Sequence, residues 1–103
     1  MEVYDLILSQ DAENDLNSIF SYISDVLGSP INAMNQYRRI MKGILSLEFM
    51  PDRIKMMELN GRNNTLYRRL NVDNYAVIFG IEDGCVNVYR VLFSGSDIPA
   101  WLI

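Results

Sequence analysis

Residues 65–97, with the sequence TLYRRLNVDNYAVIFGIEDGCVNVYRVLFSGSD, predict three β-strands joined by two tight polar turns. The strands cover residues 66–72, 75–81 and 85–93. The middle strand is apolar on both faces, which is typical of a central strand. A meander of this kind must bury one apolar face, so we expect helices from elsewhere in the chain to pack on it.

The first half of the chain carries two amphipathic helical patterns. Ser9 is a good N-cap residue, and apolar positions at helical spacing after it predict a first helix over residues 10–27. Ser29-Pro30 is a second start signal, and a second helix should continue until Met50-Pro51 stops it. The very short link between the two patterns predicts an antiparallel helical hairpin.

Two shorter segments, residues 3–8 and 54–59, are predicted strands, the second of them weaker and more irregular. We therefore predict an α/β (α+β) fold in which an N-terminal strand precedes a two-helix antiparallel hairpin. The hairpin should pack on a twisted, mainly antiparallel sheet of four to five strands. A chain of 103 residues that is 50% hydrophobic is long enough for one core and too short for two, which predicts a single domain over residues 1–103.

The chain carries no pattern typical of a membrane segment or a leader. Its apolar runs span only a few residues, against about 18 for a bilayer-crossing helix, and no basic region precedes an apolar one at its start. We expect a cytoplasmic protein with no membrane partner. The only cysteine, Cys85, fits a reducing compartment, and we predict a packing role for it because no histidine is present to activate a thiol.

Charge is unevenly distributed along the chain. The net charge of −4 counts against stand-alone nucleic-acid binding, which usually requires a basic excess. Residues 1–30 contain six acidic residues and no lysine or arginine, so they predict an acidic surface that is either solvated or bound to a basic partner segment. The Glu82-Asp83-Gly84 turn resembles neither a metal loop nor a phosphate cradle, and we predict no metal and no cofactor.

The motifs SQDAENDL (residues 9–16), IFSYI (19–23) and LEFMPDR (47–53) precede the three strand segments in a characteristic order. In this order the chain resembles the RelE/ParE superfamily of toxins from bacterial type II toxin–antitoxin modules, and it is closer to the ParE branch. The resemblance covers almost the whole chain. It implies a compact domain that blocks growth through translation or DNA gyrase. It also implies a cognate antitoxin partner, whose disordered segment folds across the toxin in a hetero-oligomer.

RelE-like members are ribosome-dependent mRNA endonucleases, whose chemistry needs a base, an acid and cations around a phosphate. In such toxins an arginine commonly follows the strand tyrosine, where this chain has Ala76, and a basic or histidine-containing group follows the last strand, where it has FSGS at 93–96. A metal-independent endoribonuclease acting with the ribosome and mRNA stays an alternative. Its candidate catalytic residues are Lys55, Arg68, Arg90 and Tyr89.

ParE-like members inhibit gyrase by protein–protein contact and need no acid–base pair, which favours this branch for a chain without histidine. A nontoxic module that only binds its antitoxin is a third hypothesis. Strand arginines are also common as ordinary solvated or ion-paired residues. The candidate target-binding residues, in addition to Arg68 and Arg90, are Arg53, Arg62, Arg69 and Trp101.

Overall fold

The computed structural model describes residues 2–60 and 66–96. Within these ranges the chain forms two α-helices, two short helical turns of other types and five strands. In chain order the elements are β1 (Asp5–Leu8), α1 (Gln10–Ser21), a π-helix (Tyr22–Val26), α2 (Pro30–Ser46), a 3-10 helix (Pro51–Arg53), β2 (Met56–Asn60), β3 (Leu66–Val72), β4 (Tyr75–Glu82) and β5 (Cys85–Phe93).

The five strands form one mixed sheet in the order β1-β5-β4-β3-β2. β1 runs parallel to β5, and the other neighbours are antiparallel. The predicted central position of β4 is confirmed, since β4 has two strands on each side. The turn between β4 and β5 has Asp83 at φ 50° and Gly84 at φ 77°, the left-handed pair that tight hairpins favour.

Both helices begin where the capping residues predict. The Ser9 hydroxyl accepts a hydrogen bond from the Ala12 amide at 3.0 Å, and the same hydroxyl donates to the Tyr89 carbonyl at 2.7 Å. Ser29 caps α2 in the same way, with Pro30 at the first helical position. The start of α1 is thereby fixed to β5 as well as capped.

The helices pack on one face of the sheet, as predicted. The contact includes a close approach between α2 and β3, because a Cβ atom on Gly43 would lie 2.7 Å from Val72 Cγ2. Only a residue without a side chain allows this spacing. The buried core of this face is formed by Ala12, Leu16, Ile40, Ile44, Leu47, Val77, Phe79, Val86, Val88 and Val91.

The first helix does not continue as a regular α-helix to residue 27. The α-helix ends at Ser21, and a π-helix follows in which the Leu27 amide donates to the Tyr22 carbonyl at 3.0 Å. This wider turn leaves Tyr22 and Val26 exposed. Gly28, at φ 70°, then ends the helical segment.

The second helix ends at Ser46, before the predicted limit at Met50. Met50 adopts a left-handed conformation at φ 46°, which no helix residue can keep. The Glu48 carbonyl accepts a hydrogen bond from the Tyr4 amide at 2.8 Å. Residues 3–4 therefore pair with the loop after α2, and β1 is shorter than predicted.

The strand predicted from residue 54 begins at Met56. The Ile54 amide donates to the Pro51 carbonyl and so belongs to the preceding 3-10 turn. The Ile54 carbonyl accepts from the Arg68 guanidinium. Both polar groups of the Ile54 backbone are therefore used outside the strand ladder.

Candidate functional site

Arg90 forms a bidentate ion pair with Asp15. Its Nε and a terminal nitrogen lie 2.7 and 2.8 Å from the two carboxylate oxygens, and both side chains are largely buried. Asp15 also accepts a hydrogen bond from the Val91 amide at 2.9 Å. The hydrogen bonds that Arg90 donates to Asp15 raise the pKa of Arg90 above its ordinary value, against the opposing effect of partial burial. This arginine ties α1 to β5.

Arg68 and Arg53 hold the loop that follows α2. Arg68 donates to the carbonyls of Asp52 and Ile54. Arg53 donates to the carbonyl of Phe49 at 2.6 Å, to that of Met50 at 3.0 Å, and to the hydroxyl of Ser46 at 3.2 Å. Both guanidinium groups thus bind backbone carbonyls of the loop and the 3-10 turn that follow α2.

Arg69 lies on the face of the sheet opposite the helices. Arg69 is paired in register with Ile78, whose side chain is buried on this face, whereas Arg90, also opposite Ile78, lies at a β-bulge and its side chain binds Asp15 on α1. Arg69 donates to the Ser94 carbonyl at 3.0 Å and to the Asn71 side chain at 2.9 Å. It therefore links β3 to the segment that follows β5.

Tyr89 lies at a β-bulge, because Ile78 pairs with Arg90 while Phe79 pairs with Val88. Its ring covers Gly80 and makes an edge contact with Tyr67, with ring centroids 5.3 Å apart. Burial raises the pKa of Tyr89, and the neighbouring Tyr67 and Glu82 raise it further. The phenol therefore stays protonated near neutrality.

Of the other predicted residues, Lys55 is exposed on the link before β2. Arg62 and Trp101 lie outside the described residues. Within residues 2–60 and 66–96, no three histidine, cysteine, aspartate or glutamate side chains are grouped as a metal site would require. Neither described helix is long and apolar enough to cross a membrane.

The structure also brings together a cleft that the sequence did not predict. It has a volume of about 420 Å³ and lies between the end of α1 and the adjoining ends of β4 and β5. Tyr75 and Phe93 make an edge contact there with ring centroids 6.1 Å apart. Burial raises the pKa of Tyr75, and the neighbouring Tyr22 hydroxyl adds to this rise. We call this site the aromatic cleft; its lining residues are Ser18, Ile19, Tyr22, Tyr75 and Phe93.

A second depression follows the seam between the two helices. It consists of two adjoining cavities of about 350 and 240 Å³, which share Asn17 and Tyr37. Met34 and Met41 line its α2 side, and Phe20 meets Tyr37 edge-on at 6.5 Å between ring centroids. The helical periodicity predicts that these residues form an apolar stripe. It does not show that part of the stripe lines a depression open to solvent.

The fold and these surfaces define a small α+β protein with two helices on one face of a five-stranded sheet. The model of the family described as "ParE toxin of type II toxin-antitoxin system, parDE" matches residues 6–97. The chain therefore belongs to the ParE family of toxins of type II toxin–antitoxin systems. No curated protein sequence matches it.

Solved structures show the same fold. A chromosomal ParDE toxin–antitoxin system from P. aeruginosa matches with a TM-score of 0.74 at 18% identity, over 88% of this chain and 96% of that one. An archaeal RelE–RelB complex from Pyrococcus horikoshii matches with a TM-score of 0.61 at 18% identity, over 92% and 99%. A conserved hypothetical protein from Helicobacter pylori matches with a TM-score of 0.54 at 12% identity, over 87% and 93%. The predicted α+β fold and the RelE/ParE resemblance are thereby confirmed.

Proposed function

We propose that this chain arrests growth by binding and inhibiting DNA gyrase, and that a cognate antitoxin neutralises it in a toxin–antitoxin complex. Membership of the ParE family supports the toxin role. Two structural neighbours are named as a ParDE system and a RelE–RelB complex, which supports an antitoxin partner. A gyrase target and a co-produced antitoxin would both be met in the cytoplasm, which is where we propose that the protein acts.

One observation favours inhibition by protein–protein contact: the strand arginines Arg90 and Arg68 already bind other groups of the same chain. Cleavage of RNA requires cations around the reacting phosphate together with a base and an acid. Arg90 is held by Asp15 and Arg68 by loop carbonyls. The raised pKa of Tyr89 makes it a poor base at neutral pH, and the chain has no histidine. A binding inhibitor needs none of these groups.

The loop after α2 is the surface we propose for the gyrase contact. It presents Phe49, Met50 and Lys55, all exposed, on a backbone that Arg53 and Arg68 hold in place. A preorganised loop loses little conformational entropy on binding. Arg62, Arg69 and Trp101 remain proposed contacts.

Purified protein should inhibit supercoiling by gyrase in vitro, and addition of the antitoxin should restore it. Lys55→Ala should weaken inhibition, because Lys55 is an exposed cation beside the proposed contact. Lys42→Ala, which removes an exposed lysine of α2, is the matched control and should inhibit like the unmodified protein. Both variants should unfold at the same temperature as the parent.

Gyrase that stays active at saturating protein would refute this proposal. Cuts at codon positions in mRNA that is being translated would then support the alternative, in which the protein is a ribosome-dependent endonuclease. Normal growth after induction of protein that is verified to be folded would support the third hypothesis, a nontoxic module that only binds its antitoxin.

A further inference from the structure

The face of the sheet opposite the helices, which we call the outer face, contains two buried side chains. Ala76 and Ile78 of β4 are each 2% exposed. Both α-helices pack on the other face, and the described residues that pack around these two all belong to strands: Met57, Tyr67, Tyr89 and Leu92. Side chains of a sheet stand beside one another rather than above one another. Burial of a side chain as small as that of Ala76 therefore requires a cover above the sheet.

The chain turns toward the outer face at the end of β5. The Arg69 side chain, which lies on this face, donates to the Ser94 carbonyl at 3.0 Å. The Ser94 amide donates to the Asn74 carbonyl at 2.7 Å. The Ser96 amide donates to the Phe93 carbonyl at 2.8 Å and so closes a β-turn. The segment that follows Ser96 therefore starts within two residues of a contact with the outer face.

The composition of the chain identifies the cover. Two stretches that adjoin the sheet, 61–65 and 97–103, lie outside the described residues. The first reads GRNNT and has no large apolar side chain, whereas the second reads DIPAWLI. Covering an apolar face with apolar side chains stabilises by about 25 cal/mol per Å² of buried area. The second stretch is therefore the suitable one.

The second stretch is also long enough. Trp101 lies five residues after Ser96, a distance that extended chain spans in at most about 17 Å. Ile78 lies about 13 Å along the strand from Asn74, which the Ser94 amide contacts. An indole at position 101 can therefore reach both Ala76 and Ile78.

We propose that residues 98–103 pack on the outer face, with the Trp101 indole above Ala76 and Ile78. Trp101 then lies beside Arg69, so two of the proposed gyrase contacts form one surface. The packing of the segment is independent of the proposed function, whereas the shared surface rests on it.

NMR of the unmodified protein tests the packing. Trp101 is the only tryptophan of the chain, so its indole resonances are assigned without ambiguity. Nuclear Overhauser contacts are expected from the indole protons to the methyl groups of Ala76 and Ile78. Contacts to Ile19 or Tyr75 would place the segment in the aromatic cleft and overturn the proposal. An indole without contacts to the sheet would overturn it as well.

Supercoiling assays test the shared surface. Trp101→Ala and Arg69→Gln should each weaken inhibition of gyrase. The double variant should lose less than the product of the two single losses, because neighbouring residues of one surface are coupled. Losses that multiply would show that Trp101 and Arg69 act apart, which would overturn the shared surface.

Phe49→Ala combined with Trp101→Ala is the matched control. Phe49 pairs with Val3, which precedes the strand beside the start of β5, whereas Ala76 is paired with Leu92 near the end of β5. Losses from such distant sites should multiply. If the protein leaves gyrase active, the proposed function and the shared surface fail together, while the indole contacts still decide the packing.

Thermal melting confirms that each variant is folded before its inhibition is compared.

Discussion

The two long helices end in opposite electrostatic settings. After α2, the Arg53 guanidinium donates to the Phe49 and Met50 carbonyls and to the Ser46 hydroxyl, so the helix end is met by a positive charge within the chain. After α1, the chain continues into a π-helix with an acidic residue and no basic one. The end of α2 is thus met by a guanidinium group of the same chain, whereas the α1 segment has no basic residue in its own last turn. π-Helical turns are frequently found at functional sites.

The largest effect is expected where α1 is held to the sheet. Asp15→Ala leaves the Arg90 guanidinium and the Val91 amide without their carboxylate, and the free energy of unfolding should fall by about 3 kcal/mol. Urea unfolding measures this loss. Asp11→Ala, which removes an exposed carboxylate from the same helix, should cost less than about 1 kcal/mol. Equal losses would mean that the ion pair does not anchor the helix.

A smaller effect is expected at the completed helix end. Arg53→Ala removes the hydrogen bonds to the loop after α2, and it should lower the free energy of unfolding by about 1–1.5 kcal/mol, since the group is exposed. Arg38→Ala, at an exposed arginine within α2, should stay within about 0.5 kcal/mol of the parent. If both variants unfold alike, the contrast between the two helix ends is wrong.

Charge reversal tests the electrostatics at the C-terminal end of the α1 segment, which has no basic residue of its own. Asp25→Lys places a cation near the negative end of the α1 segment, and it should raise the free energy of unfolding by about 0.5 kcal/mol. Asp11→Lys, at the opposite end of α1, should instead lower stability by a similar amount. A loss of stability in Asp25→Lys would contradict the electrostatic argument.

The smallest effect concerns the turn between β3 and β4, where Asp73 accepts hydrogen bonds from Arg39 and Gln36. The Arg39 hydrogen bond, followed by that of Gln36, lowers the pKa of Asp73 below its ordinary value of 3.8. A lowered pKa in the folded state contributes stability above pH 3.8, and this contribution is lost as pH falls through the lowered pKa.

Asp73→Asn suits this test, because asparagine tolerates the left-handed φ of 54° at this position. The stability difference between parent and variant should be constant near neutral pH and should shrink below pH 3.8. Urea unfolding at a series of pH values measures it. A stability difference between parent and variant that grows as the pH falls would contradict a lowered pKa of Asp73.

Local pattern was enough to predict most of the fold. Capping residues located both helix starts, and alternation of apolar residues located β3, β4 and β5, because each signal depends on neighbours a few residues apart. The ends of the helices were less predictable. Met50 and Ile54 depart from the expected pattern because their backbones interact with Arg53 and Arg68 rather than with their own elements.

The candidate site was less predictable than the fold. The sequence singled out the strand arginines, but the partners of Arg90, Arg68 and Arg69 depend on how distant segments meet. Asp15 lies 75 residues from Arg90 in the chain. The bulge at Tyr89 also shifts the register between β4 and β5, and no short-range pattern specifies such a shift.

Hydrophobic periodicity and capping chemistry act over one or two turns of chain, so the α+β class, the order of elements and the resemblance to a toxin family can be read from the residues alone. The carboxylate that neutralises Arg90 and the three rings that meet in the aromatic cleft cannot. Hydrogen bonds and ring contacts act over a few ångströms, so they exist only after packing has brought remote residues together.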